Sequence, residues 1–266
     1  MVAFAEFKSK RVVVTGCSSG IGLATASALV DLGADVIGMS RRAPDVGLAE
    51  FHALDLTSVE SIESAATSVD GEIDALFNCA GAPPTVPSVE LVKVNFLGTR
   101  LLTEHLVERM SAGGAIANVS SSVACGWRTR LGQIRDFVET RSFEDGVAWY
   151  EENEHAVGHG YPFSKEALNV WTLQQSTTLI ARGVRMNSTS PGAVQTPLME
   201  VSEKVFPPEL LAATEYPSGR RSGVEEQVQP LLFLNSARAS YINGADIAVD
   251  GGYWASRSAE GAGSLW

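Results

Sequence analysis

The sequence predicts a single doubly wound α/β domain built on a mainly parallel seven-stranded sheet. Three observations carry this. Short β-branched runs alternate with longer helical segments, which implies helical crossovers on both faces of a parallel sheet. A glycine-rich turn directly follows the first run and opens the first helical segment. No linker, internal repeat or low-complexity run divides the 266 residues, so one domain over 1–266 is the simplest organisation.

Val12–Val14 reads as the first strand, Ile21–Leu32 as a helix, and Asp35–Met39 and Phe51–Leu54 as the next two strands. A helix around Ser58–Ser68, a strand at Ala75–Phe77 and a long helix within Ser88–Met110 follow, then a strand at Ala115–Val119. After a long interval come a helix starting near Tyr161, a strand at Val184–Asn187, a helix around Val224–Asn235 and a last strand at Asp246–Val249.

The composition is 45% hydrophobic and 19% charged, as in an ordinary globular protein. A formal charge of −11 argues against nucleic acid or an anionic membrane as partner. Cys17, Cys79 and Cys125 are too few and too scattered for a disulfide framework or a thiolate metal site, and read as reduced thiols. Basic residues follow rather than precede the modestly apolar start, unlike a signal peptide, and no run reaches the length of a membrane span. A cytoplasmic, soluble protein is expected.

The turn Thr15-Gly16-Cys17-Ser18-Ser19-Gly20-Ile21-Gly22 lies between the first strand and first helix. Gly16 suits the tight turn, while Gly20 and Gly22 admit a pyrophosphate and close helix–strand packing. The helix N-terminus adds free N–H groups and a positive dipole end. A dinucleotide is the expected cofactor. At the end of the second strand an acid would accept hydrogen bonds from a ribose 2′-hydroxyl. This chain has Ser40-Arg41-Arg42 instead, and guanidiniums suit a 2′-phosphate. NADP is therefore favoured over NAD. Asp55, followed by Leu56, ends the third strand where it can receive the adenine amino group.

Tyr161 and Lys165 stand four apart, on one face of a helix. A free phenol, with a pKa of about 10, is a weak base at neutral pH. A neighbouring ammonium favours the phenolate and offers a route to proton exchange near pH 7.

With these pieces placed, the chain resembles the short-chain dehydrogenase/reductase family from about Val12 to Trp254. The marks appear in order: the Thr15–Gly22 turn, Asn78-Cys79-Ala80-Gly81, Asn95, Ser121, Tyr161 with Lys165, and Pro191-Gly192. The resemblance implies a Rossmann fold and a catalytic tetrad. Tyr161 would exchange the substrate proton, and Lys165 would lower its pKa while binding the nicotinamide ribose. Ser121, with Ser120 as runner-up, would hold the substrate oxygen, and Asn95 would support a proton-relay water. Asn78, Ala80 and Gly81 would line the adenosine side of the cleft. Pro191 and Gly192 would form the turn before the carboxamide site, made by Thr196 with the Val194 backbone. A homo-oligomer, dimer or tetramer, is also implied.

Tyr161 follows Ser121 by 40 positions, far more than in most family members. The excess, about 123–160, carries Trp127, Trp149 and Tyr150, and Leu131, Ile134 and Val138 recur at helical spacing. It reads as one or two short amphipathic helices that cover, or replace, the usual helix-pairing interface. At this point the chain is similar to bacterial coniferyl-alcohol dehydrogenases and 3α-hydroxysteroid dehydrogenase/carbonyl reductases, which also carry extra residues here. Those relatives use NAD and have an acid where this chain has Ser40.

His155 and His159 lack a third ligand, so no metal is expected. A substrate lid is expected over about 198–221, with Met199, Val205, Phe206, Leu210, Leu211 and Tyr216 as candidates for an apolar ring. The expected activity is reversible hydride transfer between the cofactor and a bulky apolar or aromatic alcohol/carbonyl pair. Reduction of a terpenoid or other small cyclic ketone is the alternative. Rival classes are a non-catalytic dinucleotide sensor and a sugar-nucleotide epimerase or dehydratase, the latter disfavoured by the short tail after the last strand.

Overall fold

Residues 5–204, 207–215 and 217–259 are described by a computed structural model. Strands β1 (Arg11–Thr15), β2 (Asp35–Ser40), β3 (Glu50–Ala53), β4 (Ile73–Asn78), β5 (Met110–Val119), β6 (Arg185–Pro191) and β7 (Asp246–Val249) form one sheet. Their order is β3-β2-β1-β4-β5-β6-β7. Every pairing is parallel. Because β1 is flanked by β2 on one side and β4 on the other, the crossover direction reverses there. A crevice opens at the carboxyl ends of the strands at such a switch point.

Alternate strand residues feed two cores. Val13, Ile37, Leu76 and Ile116 belong to one, and Val12, Val14, Phe77 and Ala117 to the other. Helices α1 (Gly20–Asp31), α2 (Val59–Thr67), α3 (Ser88–Val92) and α4 (Gly98–Val107) connect the first five strands. The long helix expected over Ser88–Met110 is broken by a π-helical turn at Lys93–Leu97. The Thr99 hydroxyl donates to the Val94 carbonyl five residues back, which matches the widened turn. Met110 begins β5 rather than ending a helix; Ser111-Ala112-Gly113-Gly114 has no apolar pattern to reveal this.

The insert is helical: a 3₁₀ segment at Ser122–Arg130, then α5 (Leu131–Val138) and α6 (Phe143–Val157). It packs against α7 (Gly160–Leu179) through aromatic side chains. The Phe137 ring centroid lies 5.1 Å from that of Phe163, and Trp149 stacks on Phe163 at 5.8 Å. Phe137 also meets Phe96 of the π turn at 5.1 Å. Buried Arg100 of α4 donates to the carbonyls of Val138, Thr140 and Ser142, satisfying backbone that the α5–α6 corner would otherwise leave unpaired. Beyond α7 come α8 (Pro197–Glu203), α9 (Pro208–Glu215), α10 (Val224–Asn235) and α11 (Tyr253–Ala259). Among the described residues no helix is long and apolar enough to cross a membrane.

Candidate active site

The turn after β1 is built as a cradle for backbone approach. Gly16 adopts φ +66°, and a Cβ there would stand 2.7 Å from Ala80 Cα. A Cβ on Gly22 would stand 2.3 Å from the Gly16 carbonyl oxygen, so α1 can start this close to the turn only without a side chain. Ser19, the N-cap, makes no capping side-chain bond, which leaves the amides of the first turn, from Gly20 and Ile21 onward, open to a ligand. Ser18 borders the same turn. These features fit a pyrophosphate. The Thr15 hydroxyl accepts from the amides of Cys79 and Ala80, both at 3.1 Å, tying the end of β1 to the loop after β4.

At the end of β2 the Ser40 hydroxyl is turned inward and donates to the Arg42 carbonyl at 2.6 Å. It therefore shapes the loop rather than facing a ligand, while Arg41 and Arg42 are exposed. Asp55 Oδ1 accepts from the amide and hydroxyl of Thr57 at 2.9 and 2.7 Å. These bonds, aided by the Arg41 charge, hold its carboxyl below the usual range. Neighbouring Leu56 is buried, with Gly98 packed on its carbonyl. The Asn78 side chain is buried and donates to Thr103 and Asn118 at 2.9 and 2.8 Å; it ties β4 to α4 and β5 instead of reaching into the cleft.

Helix α7 starts at Gly160, where a Cβ would sit 2.2 Å from the Ser88 carbonyl oxygen. His159 caps it, Nδ1 accepting from the Tyr161 amide at 3.2 Å. This separates His159 from His155, which lies in α6, and no metal-ligand cluster occurs among the described residues. Tyr161, partly buried at the start of α7, stands near Ser121: burial of the phenol pushes its pKa up, and the Ser121 hydroxyl, which favours the phenolate, offsets only part of this. Ser120 faces elsewhere, its hydroxyl donating to the Lys165 carbonyl at 3.1 Å.

Lys165 is buried, and its ammonium donates to the Val119 carbonyl at 2.8 Å. Burial draws its pKa down from 10.5 to about 8. The expected lowering of Tyr161 by Lys165 is not seen, because the ammonium is directed to the strand end. Nζ lies 3.7 Å from where a Gly81 Cβ would stand, so Gly81 borders the lysine. Asn95 sits on the π turn. Its Oδ1 accepts from the Ala82 amide at 2.9 Å and its Nδ2 donates to Ser164 at 3.3 Å, joining α7 to the loop after β4.

Pro191 ends β6, and the Gly192 amide donates to Val249 at 3.1 Å. Val194 bridges to Ser222. Thr196 caps α8 through Met199, and its Cγ2 lies 3.3 Å from where a Gly20 Cβ would stand, so the base of the lid meets the phosphate turn. Arg221 joins the lid helices by ion pairs to Glu203 of α8 and, at 2.7 Å, Glu215 of α9. Met199 is half-buried; Val205, Phe206, Tyr216 and the Leu210 side chain lie outside the described residues. Sequence reasoning missed the Thr15, Ser164 and His159 contacts and the Arg130–Glu166 ion pair. For His159 the only signal was a polar residue just before a helix.

Residues 10–129 match the short chain dehydrogenase family model, and residues 150–254 match the one described as Enoyl-(Acyl carrier protein) reductase. The chain is 36% identical to the coniferyl-alcohol dehydrogenase of Pseudomonas sp. (strain HR199 / DSM 7063), over 93% of this chain and 97% of that protein. It belongs to the short-chain dehydrogenase/reductase family. As a short-chain dehydrogenase/reductase it is an oxidoreductase, and the fold is one that binds a nicotinamide cofactor. The 3-alpha-hydroxysteroid dehydrogenase/carbonyl reductase of Comamonas testosteroni is 31% identical over 91% of this chain and 95% of its own length. Among solved structures, the 3-alpha-hydroxysteroid dehydrogenase from Pseudomonas sp. B-0831, complexed with NADH, superposes with a TM-score of 0.78 at 29% identity, covering 96% of this chain and all of that one.

Proposed function

We propose that this short-chain dehydrogenase/reductase moves a hydride reversibly between NADP and a bulky apolar or aromatic alcohol/carbonyl pair, with Ser121, Tyr161, Lys165 and Asn95 as its working residues. The observation that carries the reading is the approach of Ser121 to the Tyr161 phenol, close enough to favour the phenolate, one helical turn before buried Lys165. The nicotinamide supplies the hydride chemistry when bound. Ser121 holds the substrate oxygen, and Tyr161 gives a proton to the carbonyl oxygen in reduction or takes the hydroxyl proton in oxidation. Lys165, with a pKa of about 8, is poised to exchange a proton at working pH. Asn95 acts as a positioning residue by fixing the π turn against α7.

Exposed Arg41 and Arg42 support NADP, since Ser40 leaves no acid to repel a 2′-phosphate. The names of coniferyl-alcohol and hydroxysteroid dehydrogenases among the relatives support a bulky apolar substrate. So does the aromatic packing behind α7. The experiment is steady-state kinetics of wild type and Tyr161→Phe on cinnamyl-type alcohols, steroids and cyclic ketones with each dinucleotide. Tyr161→Phe is expected to keep NADP affinity and lose at least about 100-fold in kcat, the scale of a general acid–base step. Near-normal turnover would overturn the catalytic reading, and a strong NAD preference would overturn that of Arg41 and Arg42.

A further inference from the structure

A second cavity, of about 160 Å³, is lined in part by Ser122, Cys125, Trp127 and Arg128 of the Ser122–Arg130 segment. None of Ser121, Tyr161, Lys165 or Asn95 lines it; α7, β6, β7 and α11 form its remaining walls. On its floor is the Asp246 carboxylate. Every hydrogen-bond donor to that carboxylate is neutral: the Ser188 hydroxyl at 2.8 Å, the Ser190 hydroxyl at 2.9 and 2.8 Å, and Asn169 Nδ2 at 3.1 Å. Burial of the carboxylate, with a smaller part from the acidic Asp250, raises the Asp246 pKa, although Asp246 as a whole residue is exposed at the start of β7. The carboxylate therefore has no counterion among the described residues.

Two further polar groups at the cavity lack partners. Ser122, 5% exposed, makes no side-chain hydrogen bond among the described residues. Asn169, 3% exposed, leaves Oδ1 unpaired. Buried polar groups without partners are costly; a ligand that donates a hydrogen bond would relieve Ser122, whereas Asn169 Oδ1 has no surface open to the cavity. Above them the walls include the indoles of Trp127 and Trp254 and the side chain of Leu173. Arg128 in the cavity wall is exposed and lies over the Trp127 ring at 4.2 Å, and the Arg257 charge of α11 is felt at the lining residue Cys125.

We propose that this cavity is a binding site for a small organic ammonium ion, the ammonium set on Asp246 and Ser122 and the apolar body held between Trp127 and Trp254. An anionic ligand would meet a carboxylate that no cation offsets, and a wholly apolar one would leave that charge without a counterion and the Ser122 hydroxyl unpaired. The aromatic faces favour a cation as well as an apolar stem. A volume of this order holds roughly a benzene-sized body. Because the cavity shares no wall with the phosphate turn, its occupant and the dinucleotide bind independently.

The probe is benzylammonium, with ethylbenzene as its uncharged isostere, titrated calorimetrically into the full chain with and without saturating NADP. Saturable binding at one site per chain is expected, unchanged by NADP and weaker by about tenfold or more in Asp246→Asn, the scale of losing a hydrogen bond to a charged group. Circular dichroism checks that this variant is folded. Arg128→Glu, a change at an exposed position, is expected to tighten binding several-fold by replacing a repelling charge with an attracting one. Ethylbenzene binding as tightly as benzylammonium, displacement by NADP, absence of binding, or indifference to Arg128→Glu would each overturn the proposal.

Discussion

Replacing Lys165 by methionine separates what the lysine costs the fold from what it gives the chemistry. Burial lowers its pKa from 10.5 to about 8. At roughly 1.4 kcal/mol per unit, holding the ammonium inside at neutral pH costs about 3 kcal/mol. Removing the lysine leaves the Val119 carbonyl without its donor, which costs the variant about 1–3 kcal/mol. Methionine is similar in volume and carries no charge, so Lys165→Met should be as stable as wild type, or more stable by about 1–2 kcal/mol, at pH 7.5 while losing activity. The pH dependence is the sharper test. A lysine whose folded pKa lies below its unfolded value is penalised in full below pH 8, and the penalty fades as pH rises towards 10.5. Wild type should therefore gain about 2 kcal/mol on Lys165→Met between pH 7.5 and 9.5. Urea denaturation of both proteins at the two pH values, followed by tryptophan fluorescence, measures the difference. A gap that stays constant with pH, or widens in favour of the variant, would show that the lysine does not carry a depressed pKa.

Gly22→Ala should abolish dinucleotide binding without unfolding the sheet, because its Cβ would press against the Gly16 carbonyl from 2.3 Å and force the turn open. Affinity for NADP within about threefold of wild type would contradict that reading of the cradle; about 0.6 kcal/mol is too small for a displaced turn. Arg130 pairs with buried Glu166, directly after Lys165, donates to the Val157 carbonyl and lies over the Phe163 ring at 5.4 Å. A double-mutant cycle with Arg130→Ala and Glu166→Gln should give a coupling of about 2–3 kcal/mol in unfolding, reduced from a fully buried pair by the partial exposure of Arg130. It should also raise KM for bulky substrates more than it lowers kcat. A coupling below about 0.5 kcal/mol would mean that the pair is a surface contact in effect.

The parts of the fold that are legible in the sequence are those where one face must be buried. β7 and α10 have the expected limits because Ile247 and Val249 alternate and Val228, Leu231 and Leu232 recur at helical spacing. From sequence β6 reads short because its second half, Ser188-Thr189-Ser190, is buried yet polar. Two of those hydroxyls are paired: Ser188 and Ser190 bond Asp246 on the neighbouring strand. A pattern of apolar residues cannot reveal a strand whose burial is made tolerable by a carboxylate 56 and more residues away. The π turn is illegible for a related reason. Lys93-Val94-Asn95-Phe96-Leu97 has good helical spacing, and a widened turn differs from a regular one in its backbone hydrogen bonds, which no residue pattern marks.

The site divides along the same line. Residue types that can do only one thing at their position, such as Gly16 with φ +66°, are legible one by one. Residues whose role depends on where a side chain turns are not. Ser120, Ser121 and Ser122 are chemically alike, yet one bonds the Lys165 carbonyl, one meets Tyr161 and one opens into the second cavity. A strand end that becomes a 3₁₀ segment aims three successive hydroxyls in three directions. The insert acts on the site in the same indirect way. Phe137 and Trp149 pack on Phe163, between Tyr161 and Lys165 in the chain. A change in the insert thus reaches the chemistry through the seating of α7. Substitutions at Phe137 or Trp149 should accordingly alter which substrates fit before they alter the hydride step itself.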